Sequence, residues 1–193
     1  MIKKIIIGVL IAAFAVTGLA YAEDRWYGGI EAGAVALSDF RIVGQDQVGM
    51  DDDTDWVYGL TVGREIGTTR VELEYAYRNN KFNTTGVYAT GDVNSNSLMI
   101  NGYYDFKEVH PRIVPFVLAG VGVSRVQGNI NGLGSDDDQV LALQVGAGVA
   151  YAVSDSVFLD CTYKYFNAEN PTFKNIETEY QNHNLMVGLR YMF

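Results

Sequence analysis

The chain has 193 residues, 48% hydrophobic and 19% charged, with a formal charge of −9. That length suits one domain and that balance excludes a disordered chain, while the acidic surplus excludes a nucleic-acid binder, which would rely on Lys and Arg to meet phosphates. A single cysteine, Cys161, excludes an internal disulfide, and the 21 Gly, 13 Tyr and 3 Pro favour strands and turns over helices.

At the amino terminus, Lys3 and Lys4 precede an apolar run from Ile5 to Val16, and Ala20-Tyr21-Ala22 supplies the small residues a signal peptidase reads. Cleavage is expected after Ala22, giving a signal peptide at 1–22 and one domain at 23–193. An uncleaved anchor is the competing reading, but the run falls short of the ~20 residues of a spanning helix. Cleavage removes two Lys and no acid, taking the formal charge from −9 to −11.

Trp26 to Leu37 reads as a first strand, with Glu31 on one face and Trp26, Ile30, Ala32 and Ala34 on the other. Ser38 to Asp55, rich in Asp, is expected as a loop. Trp56 to Arg64 alternates Trp56, Tyr58, Leu60 and Val62 against Val57, Gly59, Thr61 and Gly63. After a short turn at Glu65 to Thr68, the strand Thr69 to Arg78 sets Val71, Leu73, Tyr75 and Tyr77 against Arg70, Glu72, Glu74, Ala76 and Arg78, the cleanest period of two in the chain.

Asn79 to Asn96 is expected as a second loop, and Ser97 to Phe106 as the fourth strand, with Leu98, Ile100, Tyr104 and Phe106 opposite Met99, Asn101, Tyr103 and Asp105. A turn through Pro111 leads to Ile113 to Val126, whose small residues leave two phases open; Val117, Ala119, Val121 and Val123 are favoured as the apolar side. Gln127 to Asp138 reads as a third, acidic loop. Val140 to Tyr151 sets Leu141, Leu143, Val145, Val149 and Tyr151 against Gln144 and small residues. After a tight turn, Ser156 to Tyr165 sets Val157, Leu159, Cys161, Tyr163 and Tyr165 against Phe158, Asp160, Thr162 and Lys164. Phe166 to Tyr180 is a fourth loop.

The last strand, Leu185 to Phe193, places Leu185, Val187, Leu189, Tyr191 and Phe193 on one face and Met186, Gly188, Arg190 and Met192 on the other. Eight strands result, joined by connections that alternate long and short, which is the plan of an all-β, eight-stranded antiparallel up-and-down transmembrane barrel. If the first strand ascends, the apolar-face aromatics sort by height. Trp56, Tyr58, Tyr75, Tyr77, Tyr163 and Tyr165 fall at the outer rim, and Trp26, Tyr104, Phe106, Tyr151, Tyr191 and Phe193 at the periplasmic rim, as interfacial belts would. The opposite face collects Glu31, Arg70, Glu72, Glu74, Arg78, Asp105, Asp160, Lys164 and Arg190, expected as a paired interior network.

With its alternating strands and terminal Tyr-Met-Phe, the stretch from Trp26 to Phe193 resembles the small eight-stranded outer-membrane barrel family of OmpA-like, OmpX-like and opacity-type surface proteins. The resemblance implies location in the bacterial outer membrane, contact with its lipid and lipopolysaccharide, and recognition of Leu185 to Phe193 by the barrel insertion machinery. It also implies a monomer whose external loops meet an extracellular ligand. The chain stops at Phe193, so the peptidoglycan-binding domain of full-length OmpA-like proteins is not expected.

Chemistry is sparse. His183 lies where a general base could act on lipid A, but Asn184 and Leu185 follow it, not the His-x-Ser of outer-membrane deacylases; His110 sits in a turn beside Pro111. Cys161 faces the lipid side as a small apolar residue. Asp51, Asp53 and Asp55 begin like a calcium loop, yet Trp56 and Val62 stand where Gly and Glu are required; weak divalent-cation binding by acidic loops is the residual reading. Gly120-x-Gly122 and Gly146-x-Gly148 precede no helix and read as interior strand glycines. The expectation is a non-enzymatic surface protein for adhesion, surface interaction or envelope stability, with no cofactor and no catalytic or metal site. A lipid A-modifying enzyme, a narrow small-solute or ion pore and a soluble ligand-binding barrel are the alternatives.

Overall fold

A sheet with one apolar and one polar face can span lipid only by closing on itself, so that no backbone edge is left unpaired. The computed structural model describes residues 24–42, 55–83, 90–130, 134–169, 172–173 and 176–193. Its strands are β1 (Asp24–Ile42), β2 (Asp55–Ile66), β3 (Thr69–Asn83), β4 (Thr90–Asp105), β5 (Ile113–Ile130), β6 (Gly134–Ala152), β7 (Val157–Ala168), β8 (Thr172–Phe173) and β9 (Ile176–Met192). Each pairs antiparallel with its neighbour from β1 to β7, β9 follows β7, and β9 returns to β1, with Arg190 opposite Gly29. β8 pairs only with the start of β9, leaving eight strands in a closed all-β barrel. No helix is long and apolar enough to cross a membrane among the described residues.

The short turns share one end. Gly67, at φ 62°, supplies the left-handed backbone that the two-residue β2–β3 turn requires, and Thr69 Oγ1 donates to the carbonyl of Ile66 at 3.0 Å. Between β4 and β5, His110 Nδ1 accepts the backbone N–H of Arg112 at 3.1 Å. Ser154 Oγ likewise accepts from Val157 N at 3.1 Å in the β6–β7 turn. At the same end Phe193 N donates to the carbonyl of Trp26 at 2.8 Å, extending the seam one residue beyond β9.

Ile30, Leu60, Val62, Leu143, Val145, Leu185, Val187 and Leu189 all point outward and are exposed. In β5 the outward side carries Val117, Ala119, Val121 and Val123, the favoured phase, and sends Phe116 and Leu118 inward, where both are buried.

The strands run well past the lengths expected from sequence. β1 continues through Ser38 to Ile42, and β3 and β4 pair as far as Asn83 opposite Thr90. The acidic stretch expected as a third loop is mostly ladder, with Gln127 opposite Asp137 and Ile130 opposite Gly134. β7 runs to Ala168 and β9 begins at Ile176, so much of the expected fourth loop is strand. Backbone pairing needs no apolar alternation, so the ladder hydrogen bonds continue where the outward face is no longer apolar, as at Arg125 and Gln127.

Candidate functional site

Inside the barrel the side chains form three tiers. Nearest the short turns, two guanidinium groups lie among aromatic rings. Arg70 donates to Asp105 through Nε at 2.8 Å and Nη2 at 2.9 Å, with its guanidinium 4.1 Å from the Tyr103 ring and 5.0 Å from Phe116. Arg190 donates to Asp160 through Nε at 3.0 Å and Nη2 at 3.2 Å, and lies 4.8 Å from Phe158 and 5.3 Å from Tyr27. These fork-to-carboxylate pairs combine directional hydrogen bonds with an attractive aromatic face.

The middle tier is carboxylate-rich. Lys164 Nζ donates to Glu31 at 2.7 Å and to Glu74 at 3.0 Å. Glu74 also accepts from Asn101 at 2.7 Å and Gln144 at 2.9 Å. Glu72 is held by neutral donors: Tyr27 Oη at 2.9 Å, Tyr103 Oη at 2.6 Å and Asn101 Nδ2 at 3.3 Å. A cavity of about 20 Å³ lies beside Glu31, Glu72 and Asp160.

The outer tier is apolar. Met99, Val126, Ala142, Phe166, Ala168 and Tyr180 pack together, with Phe166 and Tyr180 edge to face at 6.3 Å. Arg78 closes this tier from below, 4.1 Å from the Phe166 ring, donating to Ser97 Oγ at 2.5 Å and Asn184 Oδ1 at 3.3 Å.

The structure thus brings Glu31, Arg70, Glu72, Glu74, Arg78, Asp105, Asp160, Lys164 and Arg190 into one interior, as three clusters. Sequence reasoning puts Tyr103 and Phe158 on the inward face but assigns the interior network to charged residues alone, and it does not place Tyr27 or Phe116 there. Tyr27 carries the inward parity of its strand, and Phe116 sits beside the outward Val117. Glu65, expected in a turn, is instead a buried β2 residue, 2.8 Å from Lys107 Nζ. The inward glycines face large partners: a Cβ on Gly148 would lie 2.4 Å from the tip of Phe116.

On the outer face, Trp56, Tyr58, Tyr75, Tyr77, Tyr163 and Tyr165 occupy the loop-side half. Tyr75 Oη donates to Asn96 at 2.7 Å and Tyr165 Oη to Gln181 at 2.8 Å, both across a strand pair. Trp26, Tyr104, Phe106, Tyr151, Tyr191 and Phe193 lie near the turn end, where Tyr104 and Phe106 meet edge to face at 5.1 Å. His183 faces outward between Tyr163 and Tyr165, with Nδ1 hydrogen-bonded to Tyr163. Cys161 is exposed on the outward face. Among the described residues no three His, Cys, Asp or Glu side chains gather as a metal site; Asp51 and Asp53 lie outside them.

A closed antiparallel barrel with apolar residues outside and charge pairs inside defines a transmembrane protein of the bacterial outer membrane. The chain belongs to the outer membrane protein beta-barrel domain family, whose model matches residues 6–193. It is 29% identical to outer membrane protein PagN of Salmonella typhimurium over 156 residues, 64% of this chain and 65% of that protein. A protein of Rickettsia bellii named as a candidate adhesin is 24% identical across 99% of both chains. Among solved structures, Neisserial surface protein A superposes with a TM-score of 0.68 at 21% identity, over 87% of this chain and 97% of that one, a likeness of fold.

Proposed function

We propose that this barrel is a non-enzymatic surface protein whose external hairpins make adhesive contact with other surfaces. The observation that carries the reading is the height of the strands. β5 and β6 stay paired from Arg125 opposite Gln139 up to Ile130 opposite Gly134, roughly 16 Å further along the strand at about 3.3 Å per residue. β3 with β4 and β9 with β1 extend in the same direction. Paired strands hold their tips in place, so a partner meets a pre-ordered platform. Asp136, Asp137 and Asp138 give the β5–β6 hairpin an acidic character suited to a basic partner surface.

The remaining assignments follow from this reading. The interior clusters staple the barrel and perform no chemistry, the aromatic belts set its height in lipid and lipopolysaccharide, and Leu185 to Phe193 is presented to the insertion machinery. The leader at 1–22 is removed. The closed ring exposes no edge strand in the barrel wall, which favours a monomer.

The test is adherence of a non-adherent bacterial host carrying the chain in its outer membrane. Adherence should rise above the empty-vector level and fall when Asp136, Asp137 and Asp138 are changed together to Asn. A folded, surface-exposed barrel that adheres no better than the vector control defeats the proposal.

A further inference from the structure

Where β1, β9 and the β4–β5 turn meet at the periplasmic mouth, a cavity of about 450 Å³ opens between the turns. Three cationic side chains reach it from these separate elements and share one carboxylate, Glu65. Lys107 Nζ is 2.8 Å from Glu65, but Arg25 Nη2 is 3.6 Å away and Arg190 Nη1 4.0 Å, both beyond hydrogen-bond reach. Of the other acids, Asp105 is gripped by Arg70, Asp160 takes Nε and Nη2 of Arg190 but not its Nη1, and Asp155 lies at the exposed rim, where its carbonyl accepts from Arg25 Nη1 at 2.9 Å.

Two donors are left over. Arg190 is only 5% exposed, yet its Nη1 has no hydrogen-bond partner, and neither has the buried Nε of Arg25. A buried guanidinium N–H without an acceptor is costly, and guanidinium groups favour oxyanions as partners. Donors arriving from three elements suit a tetrahedral oxyanion, with acceptors on several sides, better than a planar carboxylate with two oxygens on one edge.

We propose that the periplasmic mouth holds a phosphate group, bound by Arg25, Lys107 and Arg190. The mouth lies level with the inner-leaflet headgroups and opens to the periplasm, so the phosphate belongs either to a phospholipid headgroup or to a small soluble phosphate. This site is independent of adhesion at the opposite rim.

The test is calorimetric titration of inorganic phosphate into the folded protein in a phosphate-free, non-ionic detergent. Saturable binding in the millimolar range or tighter is expected. Arg25→Gln and Lys107→Gln, each removing a charge-assisted contact at the accessible end, should weaken it about tenfold. Glu65→Gln should tighten it, because the three cations lose the carboxylate that competes for them. Heat-dependent gel migration establishes that each variant is folded. Displacement of phosphate by dihexanoyl phosphatidylglycerol assigns the site to lipid headgroups, and failure to displace assigns it to soluble phosphate. No saturable binding by the folded wild type, binding indifferent to Arg25→Gln and Lys107→Gln, or weaker binding in folded Glu65→Gln would each overturn the proposal.

Discussion

Tyr27 lies across the β1–β2 ladder from Gly63, and its ring occupies the space that a side chain at 63 would need: a Cβ there would fall 2.3 Å from Tyr27 Cζ. The absence of a side chain at 63 lets the Tyr27 hydroxyl extend to Glu72. Gly63→Ala should therefore destabilise the barrel by about 1–3 kcal/mol through overpacking, measured by urea unfolding in detergent. Tyr27→Phe keeps the ring and removes one donor to Glu72, with an expected loss of about 1–3 kcal/mol. If Gly63→Ala is neutral, the ring is not held as described.

The Arg70–Asp105 pair is buried at both ends. Asp105→Asn, which leaves the guanidinium with a neutral partner, should cost about 3–5 kcal/mol. The double change Arg70→Met with Asp105→Leu should cost less than the sum of the single changes. Strict additivity in that double-mutant cycle would show that the pair is uncoupled.

Lys164 is the cation shared by Glu31 and Glu74. Lys164→Met should cost several kcal/mol, on the order of 3–5, because two carboxylates then face each other without it. Adding Glu74→Gln to Lys164→Met should restore part of the loss. Thermal loss of the compact, fast-migrating form on unheated gels reads both effects.

Phe166 and Tyr180 pack edge to face above Arg78 at the loop-side end of the described interior. Single-channel recording of the reconstituted wild type should therefore give no reproducible conductance. Phe166→Ala should lower stability by about 3–5 kcal/mol. Steady, ion-selective openings in the wild type would refute the filled interior.

On the outer face, Val187→Arg places a cation in lipid between Ala32 of β1 and Cys161 of β7. The cost expected near the bilayer middle is about 2–4 kcal/mol, falling toward zero for the same change near the rim at Trp56. Folding yield into vesicles of defined thickness measures the difference.

The eight-strand plan was legible because the membrane imposes one rule on all eight strands: apolar outward, with the inward face free to be polar or apolar. Val71, Leu73, Tyr75 and Tyr77 obey it without exception, and even the small-residue β5 follows the phase of Val117 and Val121. Strand length was not legible. Around Arg125, Gln127 and Asp137 the outward face is polar, so the apolar alternation ends while the ladder continues unchanged. The interior was half legible. Charged residues such as Arg70 and Lys164 announce themselves on the inward parity, but their partners are decided by height and by which strands lie opposite across the lumen. Arg70 was therefore readable as an interior cation, while its place between Tyr103 and Phe116 was not. Glu65 was hidden by its position next to a turn, because nothing local distinguishes an acid at the end of a strand from one in the turn that follows.

The seam between β9 and β1 has a consequence for how the molecule comes into being. Its partners come from opposite ends of the described chain, Leu189 against Ile30 and Arg190 against Gly29, so every other strand can be in place while this ladder is still unmade. Contacts so distant in sequence form slowly. Because neighbouring residues on β9 point to opposite faces, a slip of one position at the moment of sealing would send Arg190 into lipid and Leu189 among the carboxylates. Sealing thus depends on register: one alignment of the last strand puts every side chain on its proper face, and a chain that missed it would keep a bare edge.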